Sequence, residues 1–428
     1  MKKLLKINLI IIALFLASCG GTTLNYHADK NKADVATITD GAAPESPSSI
    51  AGDTKSMADE VSRSEEEKAE VDVDSPKEDV SPNIEQNGLL TAGEWNDHDN
   101  WDFWRNLINS ADYSHNNTNW GFYLQKRISV SVKDKSGIAL NNIKVVLEDV
   151  QGEKVWEART DVFGKAELFS DIFGKNYSGL KIIVGNDKST STEIKNIKED
   201  ALNTVTLNTS QQKFSDIDIM FVVDATGSMG DEIEFLKKDL TNILSKVNVT
   251  VPELSPRVGM VFYRDMGDEY LVRDFDFETK TASMLNNLGQ QSAGGGGDFE
   301  EAVHKGLEHA LNNKSWSNNA KAKLMFLILD APPHSVKEDI SSIQNSMRKA
   351  ASLGIKVIPV TASGINKETE FLMRYLSVST NGTYVFLTDD SGIGESHLVP
   401  TVGKYKVEYL NDLMIRLILK YTGNLKVS

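Results

Sequence analysis

Three residues with oxygen-bearing side chains alternate in the stretch DATGSM: Asp224, Thr226 and Ser228. In an extended turn alternate side chains fall on one side, so a carboxylate and two hydroxyls can converge on one ion. Such hard donors suit Mg²⁺ and also bind Mn²⁺ or Ca²⁺. Gly227, between the two hydroxyl residues, relieves the steric limit on a tight loop. Two further carboxylates occupy comparable places. Asp330 follows an apolar run that ends at Leu329, and Asp298 ends the glycine run of GGGGDFEEAV at 294–303. The alternative is a helix cap, with Ser228 satisfying backbone N–H groups, but a cap explains one residue and not three polar loops.

Elements of alternating type must position these groups. A buried strand is predicted from Ile217 to Val223, followed by a helix with the apolar stripe Ile233, Leu236, Leu240, Ile243, Leu244 and Val247. Further strands are predicted at Val258 to Tyr263, Leu324 to Leu329, Val357 to Val360 and Tyr384 to Leu387, with helical stretches between most of them. This alternation predicts an α/β fold, a doubly wound and mainly parallel sheet whose ligands bind at the carboxyl ends of the strands. Other residues at those ends are candidates for a rim: Arg264 and Asp265, His334, Thr361 and Ser363, and Asp389, Asp390 and Ser391. His304, one helical turn after Glu300, is expected to be solvated or paired with a neighbouring carboxylate instead of serving as a base or ligand.

DATGSM resembles the DxSxS motif of von Willebrand factor A domains, with Thr226 replacing the first serine. The resemblance covers 214–422 and implies a Rossmann-like sheet carrying a metal-ion-dependent adhesion site. It also implies that the two hydroxyl residues touch the ion, that Asp224 and Asp330 act mostly through water, and that a loop threonine completes the set. Here the chain departs from the family, because Asp298 stands near the place of that threonine. A bound carboxylate there would offset part of the ion's charge and weaken the capture of an acidic side chain from a partner.

Ahead of this domain, 126–210 reads as a small antiparallel β-sandwich. Ile128, Val130 and Val132 alternate with polar residues, as do Ile143, Val145 and Leu147, and turn signals separate the runs. The stretches VSVKDKSGIAL, VVLED and TDVFGKAEL resemble carboxypeptidase regulatory-like modules, with Ala139 where proline is usual. Residues 89–125 hold four of the six tryptophans, Trp95, Trp101, Trp104 and Trp120. They read either as a cap packed on the next domain or as a stacking surface for glycans.

The first 18 residues combine Lys2, Lys3 and Lys6 with the apolar run Leu9 to Leu16, the pattern of an export signal. Leu16, Ala17, Ser18 and Cys19 resemble the bacterial lipobox, in which the cysteine thiol receives a diacylglycerol after cleavage. Cys19 is the only cysteine, so no disulfide is expected. Gly20 and Gly21 follow it without an acidic residue, which favours the outer membrane or cell surface over the inner membrane. From 19 to 88 the chain is acidic and poor in aromatics, a composition that reads as a disordered tether.

A net charge of -15 and a pI near 5.0 exclude a basic nucleic-acid surface. The loop at 294–303 lacks the Lys and Ser or Thr of a P-loop, and the chain has no GxSxG elbow. The expectation is a non-enzymatic, lipid-anchored protein of the bacterial envelope that binds a protein partner through a divalent cation. The alternatives are a glycan-binding lipoprotein with a structural metal and a metal-dependent hydrolase.

Overall fold

A computed structural model describes residues 90–187, 189–392 and 396–425. The expected export signal, Cys19 and the tether lie outside the described residues.

The chain first forms a strand, β1 (Thr91–Trp95), then two short helices, α1 (Trp101–Ile108) and α2 (Ser114–Trp120). Helix α1 buries Trp101, Trp104, Leu107 and Ile108, a single stripe at helical spacing. Helix α2 stops at Gly121, whose φ of 63° lies in the left-handed region that glycine enters without strain. Trp95, Trp101, Trp104 and Trp120 are at most 7% exposed. The tryptophans therefore form packing and not a stacking surface, which decides between the two readings of this segment.

Seven strands follow: β2 (Arg127–Asp134), β3 (Lys144–Glu148), β4 (Lys154–Arg159), β5 (Lys165–Phe169), β6 (Lys181–Val184), β7 (Thr192–Ile194) and β8 (Leu202–Leu207). They make a three-stranded sheet ordered β5-β2-β8 and a four-stranded sheet ordered β4-β3-β6-β7. The alternating residues Ile128, Val130 and Val132 are buried, as the period-two pattern requires. One pairing departs from the expected antiparallel arrangement: β8 runs parallel to β2. The chain reaches β8 only after crossing to the second sheet through β6 and β7, so it re-enters in the direction of β2.

The rest of the chain builds one large sheet with helices on both faces. Its elements are β9 (Asp216–Asp224), α3 (Gly230–Thr250), β10 (Ser255–Tyr263), β11 (Val272–Glu278), α4 (Thr281–Gly289), α5 (Val303–Asn312), β12 (Ala320–Leu329), α6 (Lys337–Leu353), β13 (Ile355–Thr361), α7 (Lys367–Ser379), β14 (Tyr384–Thr388), β15 (Val407–Tyr409) and α8 (Leu410–Tyr421). The strand order is β11-β10-β9-β12-β13-β14-β1-β15. The five strands from β10 to β14 in this order run parallel, and β11 is antiparallel at one edge.

Near the other edge β1, although first in the chain, lies antiparallel between β14 and β15, with Thr91 opposite Thr388 and Trp95 opposite Tyr384. Alternate residues of β9 serve the two faces. Ile219, Phe221 and Val223 pack with α3, α4 and α8, whereas Met220 and Val222 pack with α5, α6, α7 and the aromatic segment. The sandwich is fastened to the second face by hydrogen bonds such as Arg159 Nε to Ser352 O at 3.0 Å and Asn141 Nδ2 to Lys321 O at 2.8 Å.

Candidate metal centre

Parallel strands leave their carboxyl ends along one edge, and β9 lies at the centre of that edge between β10 and β12. Asp224, the last residue of β9, stands opposite Tyr263, the last of β10, and Asp330 follows β12 directly. After Asp224 the backbone makes a 3₁₀ turn at Gly227–Met229 before α3 begins. Oδ1 of Asp224 accepts the Thr226 N–H at 2.9 Å and the Thr226 hydroxyl at 2.7 Å. The N-cap residues of the two helix starts are Thr226 and Met229, and neither caps with its side chain; the Ser228 hydroxyl faces Asp330 and draws the pKa of that carboxyl down against the upward push of burial.

The glycine-rich loop is strapped across this turn. Gly294 N donates to Ala225 O at 3.0 Å, and Gly227 N donates to Gly295 O at 3.2 Å. Gly295 and Gly296 have φ of 82° and 78°, and a Cβ on Gly295 would lie 2.4 Å from Asp268. Only glycine fits both the backbone and the space. A Cβ on Gly296 would meet Glu301 Oε1 at 2.9 Å and Thr226 Cβ at 3.3 Å, so Glu301 and Thr226 flank the same point.

Glu301 is therefore the loop carboxylate on the side of Thr226, close enough to Asp224 for the two charges to oppose each other. It is 3% exposed, and its backbone N–H donates to Pro332 O at 2.9 Å. Asp298, expected in that place, is exposed and gathers instead with Glu300 and His334. Two more buried groups complete the surroundings, Glu232 on the first turn of α3 and Tyr263. Burial and the charge of Asp330 push the Asp224 carboxyl up to about 7. Burial followed by the charges of Asp224, Asp265, Asp268 and Asp330 pushes Glu301 up to about 8, and burial with Asp330, Asp231 and Asp224 pushes Glu232 up to about 7.

Among the described residues none of these carboxylates is ion-paired with a lysine or arginine, and the Arg264 guanidinium is committed to Ala225 O, Ser292 O and Glu269. Among the described residues, Oδ2 of Asp224, Oδ1 of Asp330, Oε2 of Glu301 and the Tyr263 hydroxyl are all buried without a hydrogen bond of normal geometry. Four such oxygens, two at strand ends and two in loops, are costly unless a positive group meets them. The donor set of carboxylates and hydroxyls fits a hard divalent cation.

The remaining expected rim residues separate. His334 Nε2 lies 2.9 Å from Asp265 Oδ1, within the site's surroundings. Thr361 is buried and bonded to Tyr384, a packing role. Asp389 and Asp390 are exposed at the end of β14, where Asp389 pairs with His397 at 2.7 Å. His304 is buried and paired with Asp339 at 3.2 Å, as expected of a helix histidine beside a carboxylate.

Residues 218–396 match the model of the von Willebrand factor type A domain family. An alpha-protein kinase of Dictyostelium discoideum is 22% identical over 213 residues, which are 50% of this chain and 33% of that protein, so the chain spans about a third of that relative. Among solved structures, the conserved hypothetical protein BatB from Bacteroides thetaiotaomicron aligns with a TM-score of 0.30 and 14% identity, over 42% of this chain and 91% of that one. The pilus adhesin SpaC from Lactobacillus rhamnosus GG, in its open conformation, aligns with a TM-score of 0.34 and 12% identity, over 57% and 32%. The mostly parallel sheet flanked by helices that carries the Asp224 site is thus a von Willebrand factor type A domain.

Proposed function

We propose that this chain is a non-enzymatic, lipid-anchored envelope protein whose von Willebrand factor type A domain holds a divalent cation, Mg²⁺ foremost, and docks on a protein partner. The observation that carries this reading is the set of buried, unsatisfied oxygens of Asp224, Asp330 and Glu301 around Thr226. Asp224, Thr226, Ser228, Glu301 and Asp330 would hold the ion. When bound, the ion supplies positive charge that offsets the carboxylates and can take an oxygen ligand from outside. Mn²⁺ and Ca²⁺ are served by the same donors.

Docking is supported by the loops around the site. Met266, Phe299 and Val336 are 67%, 42% and 54% exposed, and each lies in sequence beside or two residues from Asp265, Asp298, Glu300 or His334. Apolar side chains on a polar rim suit a protein surface. Because Glu301 adds a carboxylate to the site, docking goes through this rim and not through capture of an acidic side chain. The lipid anchor rests on Leu16, Ala17, Ser18 and Cys19; among the described residues no helix is long and apolar enough to cross a membrane. A glycan surface built on the tryptophans has no support, since those rings are buried.

The test is affinity capture from membranes of the source organism, with Mg²⁺ or with chelator, using the wild-type chain and Asp224→Ala. A partner retained only by the wild type in Mg²⁺ supports the reading. Capture that ignores both chelator and substitution sinks the metal-dependent docking.

A further inference from the structure

Next to the Asp224 site, three side chains with no part in it come together. One ligand atom each from Asp298, Glu300 and His334 lies within 4.8 Å of the others. We propose that these residues form a second cation site, distinct from the first and suited to a borderline divalent metal such as Zn²⁺ or Co²⁺. A tetrahedral ion with ligands at about 2.0–2.2 Å sets its donors roughly 3.3–3.6 Å apart, so the side chains need close only by about an ångström. An imidazole with two carboxylates selects this class of metal over Mg²⁺, which prefers oxygen alone.

The backbone prepares the cluster. Glu301 N donates to Pro332 O at 2.9 Å, and Glu301 and Pro333 form a parallel bridge, so the segments bearing Glu300 and His334 are stapled together. Oδ2 of Asp268 accepts from Asp265 N and Gly296 N, both at 3.0 Å, which ties a third loop to the first two. That third loop carries Asp265, whose Oδ1 lies 2.9 Å from His334 Nε2. An ionised carboxylate only accepts, so Nε2 donates to Asp265 and Nδ1 is the ring nitrogen left for a metal. An imidazole held by a carboxylate through one nitrogen is the arrangement that orients histidine toward a metal through the other. Among the described residues, neither Asp298 nor Glu300 pairs with a lysine or arginine, and the ring of His334 is the basic group they face. Three protein ligands leave a fourth position for water or for a side chain of a docked partner.

The experiment counts Co²⁺ bound to the full chain by equilibrium dialysis and metal analysis, for wild type, Asp224→Asn, His334→Asn and the pair Asp298→Asn with Glu300→Gln. Two equivalents are expected in the wild type, falling to one in His334→Asn and in the carboxylate pair. The His334→Asn protein should keep its thermal stabilisation by Mg²⁺. One equivalent that vanishes in Asp224→Asn and persists in His334→Asn overturns the second site and leaves the first intact. One equivalent with the opposite pattern supports the second site while sinking the first. Two equivalents that survive both His334→Asn and the carboxylate pair overturn the proposal, and because these side chains are exposed or half-buried, loss of fold does not confuse the count.

Discussion

Thr226 donates twice to one oxygen of Asp224, through its backbone N–H at 2.9 Å and its hydroxyl at 2.7 Å, while Oδ2 is buried and, among the described residues, has no hydrogen bond of normal geometry. Removing the charge while keeping the shape should therefore have two opposite effects. Asp224→Asn is expected to raise the melting temperature in chelator, because a buried carboxylate crowded by Asp330 is neutralised. It should also abolish the rise that Mg²⁺ gives the wild type. Scanning fluorimetry in chelator and in Mg²⁺ reads both, and an unchanged Mg²⁺ response would refute the site.

Glu301 and Asp298 make a sharper contrast. Glu301→Gln should weaken Mg²⁺ binding by tenfold or more, on the order expected when a site loses one of its few charged ligands. Asp298→Ala should change it by less than about twofold, since Asp298 is exposed and turned to Glu300 and His334. Calorimetric titration with Mg²⁺ compares them, and equal losses would mean that the loop carboxylate is misassigned.

The shifted carboxyls set a pH dependence. Asp224, Glu232 and Glu301 have folded values near 7, 7 and 8 against ordinary values of 3.8, 4.5 and 4.5. A raised folded pKa means that the folded state holds protons the unfolded state has released. The stability this contributes is fully present below the ordinary values and is lost as pH rises through about 7 to 8. Metal-free protein should thus lose stability from about pH 5 to about pH 8, while the stabilisation by Mg²⁺ grows over the same window. Melting curves across that range, with and without chelator, check the sign.

Arg374 is fully buried and grips Asp97 with Nε at 2.9 Å and Nη2 at 2.6 Å, while Nη1 reaches Thr401 O. Asp97 belongs to the segment after β1 and Arg374 to α7. Asp97→Ala strands a buried guanidinium and is expected to destabilise the chain by about 3–5 kcal/mol in denaturant unfolding. A loss under 1 kcal/mol would show that Glu370, at 3.6 Å from Arg374, suffices as its partner.

The parallel strands were legible because each is a short apolar run flanked by helical periodicity, and Ile217–Val223, Val258–Tyr263 and Leu324–Leu329 all fall within observed strands. The positions of Asp224, at the end of β9, and Asp330, just past β12, were legible for the same reason, since a residue at the carboxyl end of a buried parallel strand lies on one edge of the sheet. Glu301 was not. It sits in the run Asp298, Phe299, Glu300, Glu301, where composition offers three carboxylates and only the strapping of the loop by Gly294 and Gly295 selects one. Strand β1 was equally hidden, because TAGEW is too short and mixed to read as a strand, and its partners lie some 300 residues away. Pairing at such distance leaves no local pattern.

That strand gives the chain a mechanical character. Every residue of the sandwich and of the parallel sheet follows β1, and β1 is held on both flanks, by five register pairs to β14 and three to β15. A pull on the chain ahead of Thr91 along the strand axis would load both rows of hydrogen bonds together in shear, so they resist as a group instead of opening singly. The domain would take up tension arriving through its N-terminal side within its main sheet, on the edge where the parallel strands end.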